Sequence, residues 1–332
     1  LKYSNKRVAF RANVTWRNFG DLIGGDTTGL QSPTGYRELD FDLKGKILLG
    51  DRSHLTTVYQ RVHQRDVPVY HKVALEDYAI NKMNPQKREL AYARLHQELD
   101  NSIFKSAVVT ASFQQQEEGR LLQKNGATLE RTENDKVRTY GFSAETRTSS
   151  GKIWSANSGV EVYSDKVQSN RTDRDLATNT ETANRGLYPD GATMTSIAAF
   201  SMHTLRLDPW EITAGARFNT FINKVTDSDL GTTKLTPSAL VGNMAVQRRI
   251  NQSSNVFASI NTGFRAPNIN DLGSLGIVDF RYETPNFDLK PEHSLQYQLG
   301  YKFRNRLLKA EVFLYRNELY DLFVRHRIEG DS

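Results

Sequence analysis

Apolar and polar residues alternate along most of the chain. In residues 7–17, Val8, Phe10, Ala12, Val14 and Trp16 are separated by polar or small residues, and residues 294–303 repeat the pattern. A period of two predicts β-strands with one apolar and one polar face. Further strands are predicted at 38–47, 54–63, 88–99, 103–115, 136–147, 153–163, 194–205, 210–222, 236–249, 255–262 and 308–316. The chain is therefore predicted to be all-β, with antiparallel neighbours.

The predicted connections alternate between short and long. Short turns fall near residues 51, 100, 150, 208, 252 and 305, and long polar loops are predicted at 18–35, 64–85, 116–135, 164–193, 224–235 and 263–292. Short turns at one end and long loops at the other are typical of transmembrane β-barrels. Aromatic residues near predicted strand ends match the interfacial girdle of such barrels; they are Trp16, Tyr36, Trp154, Tyr163, Trp210, Tyr301, Phe303, Tyr315 and Tyr320.

Two other classes fit the same alternation. One is a passive, porin-like or structural barrel of the outer membrane, and the other is a soluble β-sheet protein that binds or hydrolyses carbohydrate. A plug domain with an energy-coupling segment ahead of residue 1 would distinguish the main interpretation from the porin. Solubility without detergent would favour the sheet protein over both barrels.

The amino-acid composition and the missing motifs argue against several classes of function. The 332 residues contain no cysteine, which excludes disulfides and cysteine metal sites. No apolar stretch reaches the ~18 residues of a membrane helix. The 44 basic residues are scattered among 38 acidic ones without a basic run, so no nucleic-acid partner is predicted. Nucleophile-elbow, phosphate-loop and dinucleotide motifs are missing from the sequence, and we do not expect an enzyme. No linker divides residues 1–332, which predicts a single domain.

A two-part motif frames residues 261–303. Residues 263–267 end a predicted strand, and residues 286–292 open the next one. Together they resemble the hallmark of TonB-dependent outer-membrane receptors, although Phe287 stands where that family usually has proline. The matching residues are Gly263, Phe264, Arg265, Ala266, Pro267, Asn286, Leu289, Lys290, Pro291 and Glu292. Residues 185–191, and residues 67–71 followed by 84–88, are similar to the haem, haemoglobin and transferrin receptor branch.

The resemblance implies a 22-stranded barrel around a folded plug. It also implies TonB-energised uptake of a large, scarce nutrient across the bacterial outer membrane, here an iron-bearing ligand such as haem or a ferric siderophore. With about thirteen strands predicted, we expect one barrel domain truncated at both ends, about two strands before residue 1 and about seven after residue 332. The implied partners are the TonB complex, acting through a plug outside this chain, outer-membrane lipid, and an iron-bearing small molecule or host haem protein. No permanent cofactor is implied, and haem or a ferric chelate would be the transported ligand.

Five residues are candidates for ligand contact. Arg265 lies at the strand–loop junction, and the structural alternative pairs it with a carboxylate. Residues 268–285 contain no histidine, so Tyr282 is the comparable iron-ligand type there, and His293 is close in sequence to the second half of the motif. Tyr70 and His71, in a predicted loop, are side chains that can take an axial position on haem iron. Histidine spacing predicts no metal site.

Overall fold

The fold is described by a computed structural model, which covers residues 1–332 except 100–102, 228–230, 269–270, 272–275, 279–280, 284–285, 287 and 325–332. The strands are β1 Lys2–Ser4, β2 Val8–Phe19, β3 Leu22–Gly24, β4 Gly29–Gln31, β5 Tyr36–Gly50, β6 Ser53–Arg65, β7 Val67–Pro68, β8 Tyr78–Glu98, β9 Phe104–Lys124, β10 Leu129–Ser150, β11 Trp154–Asp175, β12 Thr180–Arg185, β13 Thr193–Leu207, β14 Trp210–Asp227, β15 Gly231–Leu235, β16 Ser238–Arg249, β17 Ser254–Arg265, β18 Gly276–Val278, β19 Arg281–Glu283, β20 Glu292–Arg304 and β21 Lys309–Tyr320. One helix, α1 Tyr70–Leu75, interrupts them.

Thirteen of the described strands have 12 residues or more, which confirms the predicted number and the all-β class. Each long strand pairs antiparallel with the long strand before it and with the one after it, from β2 through to β21, and β1 adds to β2. The sheet is thus an antiparallel meander, and its described part ends at β1 and β21. Within the described ranges no helix is long and apolar enough to cross a membrane.

The four strands from β8 to β11 are much longer than predicted. They have 21 or 22 residues, and a strand of that length extends about 70 Å. Crossing a bilayer takes only ~9–11 residues. The predicted loops at 64–85, 116–135 and 164–193 were therefore wrong in large part, because β8 begins at Tyr78, β9 and β10 meet at residues 125–128, and β11 continues to Asp175. Most side chains on both faces of these extensions are polar, so the alternation that marks a lipid-facing strand is lost.

Register assigns every strand residue to one of two faces. The outer face carries exposed apolar side chains, such as Trp16 at 68%, Tyr140 at 59% and Leu299 at 56% exposure, and the inner face carries polar ones. Of the predicted girdle, Trp16, Trp154, Trp210, Tyr301, Phe303 and Tyr320 alternate onto the outer face. Tyr36, Tyr163 and Tyr315 alternate onto the inner face, so their assignment to the girdle was wrong.

The buried core is small and lies on the inner face. It is near the end of the sheet that carries the longer connections, which we call the loop end. Val167, Ala192 and Val225 form it, and four partly buried side chains pack against them: Val137, Tyr188, Leu235 and Leu289. Two connections between strands contribute to it: residues 186–192 supply Tyr188 and Ala192, and residues 288–291, just before β20, supply Leu289. The core therefore fixes these connecting segments to the strand wall.

Candidate functional site

Residues 186–192 run along the inner face of β11. The Val167 amide donates to the Ala192 carbonyl at 2.8 Å, and the Gly191 amide donates to the Val167 carbonyl at 3.0 Å. Ser169 is the centre of a second set of bonds. Its hydroxyl donates to Asp135 Oδ1 at 2.5 Å and accepts from the Tyr188 amide at 3.1 Å, while its amide donates to Asp190 Oδ1 at 3.0 Å. We call residues 186–192 the inner segment.

Gly186 lets the inner segment approach the wall. A Cβ at this position would lie 2.2 Å from Ser169 Oγ and 2.7 Å from the Asn170 amide nitrogen. Any other residue would push the segment away from β11 or displace Ser169, since such distances are far below van der Waals contact. Close packing of the inner segment against β11 therefore requires glycine at position 186.

The two-part motif joins the same assembly. Pro267 is fully buried, and its carbonyl accepts a 2.8 Å hydrogen bond from Nδ2 of buried Asn223 on β14. Leu289, from the second half of the motif, packs against the core that Ala192 and Val225 help to form. The three stretches singled out in the sequence, residues 185–191, 263–267 and 286–292, thus meet on the inner face at the loop end.

Arg265 has the carboxylate partners that its structural interpretation requires. Its guanidinium forms ion pairs with Asp271 and, at 3.2 Å, with Glu292, and it lies 4.8 Å from the centroid of the Phe323 ring. Glu292 also accepts a 2.7 Å hydrogen bond from the Phe323 amide. Arg265 therefore fastens the end of β17 to the start of β20 and to the residues after β21.

A cleft of about 360 Å³ opens on the inner face beside the inner segment. Polar side chains of β6, β8, β9 and β10 line it together with Tyr188, and they include Gln64, Gln86, Arg88, Gln116, Glu118, Arg120 and Asp135. Amides, guanidinium groups, carboxylates and a phenol offer both donors and acceptors. The cleft is suited to binding a polar ligand, and its residues do not form a nucleophile–base arrangement.

Charge in the cleft centres on Arg120. Its guanidinium contacts Glu118 at 2.7 Å, Glu133 at 3.4 Å and Asp135 at 3.6 Å. Burial opposes its charge, but the hydrogen bond to Glu118 and the three carboxylates outweigh this, so the pKa of Arg120 is raised. Burial also raises the pKa of Asp135, and the Ser169 hydroxyl and Arg120 offset only part of that shift. Both groups lie on the strand extensions, beyond the apolar part of the outer face.

The remaining sequence candidates are dispersed. Tyr70 and His71 lie in α1, where a loop was predicted; His71 has a 59% exposed side chain, 3.9 Å from Glu76. Tyr282 belongs to β19, inside the stretch predicted as a loop, and its side chain lies outside the described residues, as does the predicted turn at residues 100–101.

His293 pairs with Phe264 and alternates onto the outer face, opposite to Arg265 and Glu292. Neighbouring strand residues point to opposite faces, so the side chain of His293 is directed away from Arg265 and Glu292. No group of three or more His, Asp or Glu side chains that could hold a metal ion occurs in the described ranges.

Comparison with known proteins decides the family. A family model described as TonB dependent receptor-like, beta-barrel matches residues 9–331. The chain belongs to the TonB-dependent receptor family. The members are transport receptors of the outer membrane of Gram-negative bacteria.

Solved structures of this receptor class share the fold. The copper transporter OprC superposes with a TM-score of 0.78 at 14% identity, over 95% of this chain and 50% of that one. The Serratia marcescens hemophore receptor HasR was solved as a double mutant with its hemophore HasA and heme. It superposes with a TM-score of 0.73 at 14% identity, over 96% of this chain and 51% of that one. The ferric citrate transporter FecA superposes with a TM-score of 0.69 at 13% identity, over 100% of this chain and 52% of that one. The chain thus spans about half the length of these proteins. No curated protein matches the sequence.

Sequence reasoning missed most of the cleft because residues 116–135, which supply Gln116, Glu118, Arg120 and Asp135, were predicted to be a loop. A signal was present: Glu118 and Arg120 on β9, and Glu133 and Asp135 on β10, are each spaced by two residues. That spacing places each pair on one strand face, and the register then brings Glu118 opposite Asp135. Ser169 carried no comparable signal, since its role depends on the position of the inner segment.

Proposed function

We propose that this chain is about half of a receptor for TonB-energised uptake of an iron-bearing ligand, either haem or a ferric siderophore. Family membership supports energised transport. The ligand class is supported by the printed names of structural relatives, which include a ferric citrate transporter and a hemophore receptor, although the fold likeness by itself does not select a ligand. The remainder of the barrel, the plug and the energy-coupling segment are proposed to lie outside these 332 residues.

The observation that carries the proposal is the polar inner wall. Arg120, Arg88 and Tyr188 surround an open cleft on a membrane-barrel scaffold, next to a segment that the barrel holds in place. Such a surface binds through hydrogen bonds and charge, and release requires those bonds to be broken. A transporter that uses external energy for release fits this arrangement better than a passive pore, whose ligands must leave unaided.

A ligand panel tests the proposal. Cells that express the full receptor as their only iron-uptake route would be grown on haem, on several ferric siderophores and on ferric citrate as iron sources. We expect growth on one class and none in cells that lack the receptor. Equal growth with and without the receptor on every iron source would contradict the proposed function.

The cleft itself is tested by Arg120→Gln. This change removes the positive charge shared by three carboxylates, and we expect weaker ligand binding at unchanged expression. Arg94→Gln is the matched control, because Arg94 also lies on an inner strand face, but its hydrogen bond to Thr110 and its contact with the Tyr92 ring, 5.6 Å away, lie outside the cleft. Identical binding constants for the two variants would remove the cleft from consideration.

A further inference from the structure

Two histidines face each other at the end of the sheet opposite to the loop end, which we call the turn end. His54 follows Ser53 at the start of β6 and lies directly opposite His96 on β8. Directly opposed residues of antiparallel strands project to the same face, with Cβ atoms about 4.5–5.5 Å apart. The two rings stack, with centroids 4.9 Å apart and planes inclined by 14°. The histidines are far apart in sequence, so strand register rather than a spacing motif brings them together.

The pair lies on the inner face of the sheet. His54 is separated by even numbers of residues from Val62 and Gln64 on the same strand, and both of these line the cleft. Alternation therefore directs all three side chains to the inner face. Both rings are half-buried, and neither belongs to the buried core. They can therefore turn about their side-chain bonds without disturbing the packing of the core.

The ring nitrogens of this pair are unused. Within the part of the chain that the structure describes, neither ring takes part in a hydrogen bond or an ion pair. His203 shows the contrast, because Trp154 donates to its Nδ1 at 3.3 Å and Ser201 contacts its Nε2 at 2.8 Å. A neutral imidazole keeps one nitrogen lone pair that can bind a metal ion. Stacking explains how the rings of His54 and His96 pack, but it leaves both lone pairs available.

The surrounding charges select the class of ion. Lys46 and Arg94 both pair with Thr56, in the next inner-face row. Glu98 follows His96 by two residues and therefore lies on the same face. Two basic side chains and one acidic one leave the surroundings slightly positive. Hard cations such as Mg²⁺ and Ca²⁺ need several oxygen ligands and are disfavoured here. Imidazole suits first-row transition metals, and their affinities for a given site peak at Cu²⁺.

We propose that His54 and His96 together bind a divalent transition-metal ion, Cu²⁺ most tightly, on the inner wall at the turn end. Cu²⁺ accepts a tetragonal set of nitrogen and oxygen ligands, which two imidazole nitrogens and water can supply. The site thus needs only two protein ligands, fewer than a structural metal centre has. Haem is not the expected occupant, because rings stacked face to face leave no space for a porphyrin between them. The inference is independent of which ligand is transported.

Copper titration of the full receptor tests the pair. The receptor would be purified in detergent without a histidine tag, freed of metal with a chelator and titrated with Cu²⁺, and the bound ion would be followed by electron paramagnetic resonance. We expect one equivalent of bound Cu²⁺ whose spectrum shows coupling to two imidazole nitrogens. Loss of a group that merely supports a metal ligand weakens metal binding about 10- to 100-fold. His54→Ala and His96→Ala each remove a ligand itself, so each should weaken Cu²⁺ binding by about 100-fold or more.

His203→Ala is the matched control. This histidine alternates onto the outer face together with Trp154, and both of its ring nitrogens are engaged. Its replacement should leave Cu²⁺ binding unchanged. Heat-modifiable gel mobility checks that each variant is folded. Where an alanine variant does not fold, His54→Gln or His96→Gln takes its place, because glutamine keeps a polar side chain of similar size without an imidazole.

Four results would overturn the inference. They are a wild-type spectrum with coupling to fewer than two nitrogens, unchanged Cu²⁺ affinity in a folded His54 or His96 variant, an equal loss of affinity in His203→Ala, and displacement of the ion by millimolar Mg²⁺. The last result would show that charge holds the ion instead of imidazole coordination. Iron-ligand uptake is measured separately, and its failure would refute the proposed function without affecting the copper result.

Discussion

Ser169→Ala tests whether the inner segment is held by the bonds around Ser169. The substitution removes a hydrogen bond to the Asp135 carboxylate at 2.5 Å and one from the Tyr188 amide at 3.1 Å. A bond to a charged group contributes about 1.5–3 kcal/mol and a neutral one about 1 kcal/mol, so about 2.5–4 kcal/mol is lost. The local opening constant of residues 186–192 should then rise roughly 60- to 700-fold.

Amide hydrogen exchange on the full receptor measures this opening. The Gly191 amide, which bonds to the Val167 carbonyl, should exchange faster in the variant by that factor. Ser164→Ala is the control on the same strand, because its hydroxyl makes only one neutral bond, to Thr195 Oγ1 at 3.3 Å. Exchange at Gly191 that is unchanged in Ser169→Ala, or accelerated equally in Ser164→Ala, would refute the account of the inner segment.

Three further predictions concern other parts of the site. Arg265→Gln should speed amide exchange at Phe323 by tenfold or less, because the ion pair that holds Glu292 is half-exposed and solvent weakens it; no change would contradict its fastening role. The raised pKa of Asp135 gives the wild type stability that is present at acid pH and is lost as pH rises above that pKa. Asparagine does not titrate, so Asp135→Asn should become more stable relative to the wild type as pH rises. A melting-temperature difference between the two proteins that stays constant from pH 4 to 8 would disprove this. If haem is the ligand, His71→Ala should weaken haem binding in a spectroscopic titration and His96→Ala, near the opposite end of β8, should not; identical titrations would exclude His71.

The sequence predicted the strands where lipid enforces alternation and failed where it does not. Residues 294–303 were placed correctly within β20, since every second side chain there meets an apolar environment. The extension of β11 beyond residue 163 was missed, because polar side chains on both faces look like a loop. The same loss of signal hid much of the cleft, because Gln116, Glu118, Arg120 and Asp135 lie on such extensions.

The motifs predicted the family and little about the chemistry of the site. Gly186, Pro267 and Leu289 are explained by packing of three distant segments into one core, a contact that no local pattern encodes. Arg265 was correctly expected to have a carboxylate partner. Closeness in sequence to Glu292 did not show that His293 lies on the opposite strand face, because consecutive strand residues change face.

Energy dependence is the most direct test of the proposed transport. Uptake of the radiolabelled iron ligand identified by the growth panel would be measured in three strains: cells with the full receptor and an intact TonB complex, cells without TonB, and cells without the receptor. The account predicts surface binding in both receptor-bearing strains and accumulation inside the cell only when TonB is present. Equal accumulation with and without TonB would contradict it and would indicate a passive pore.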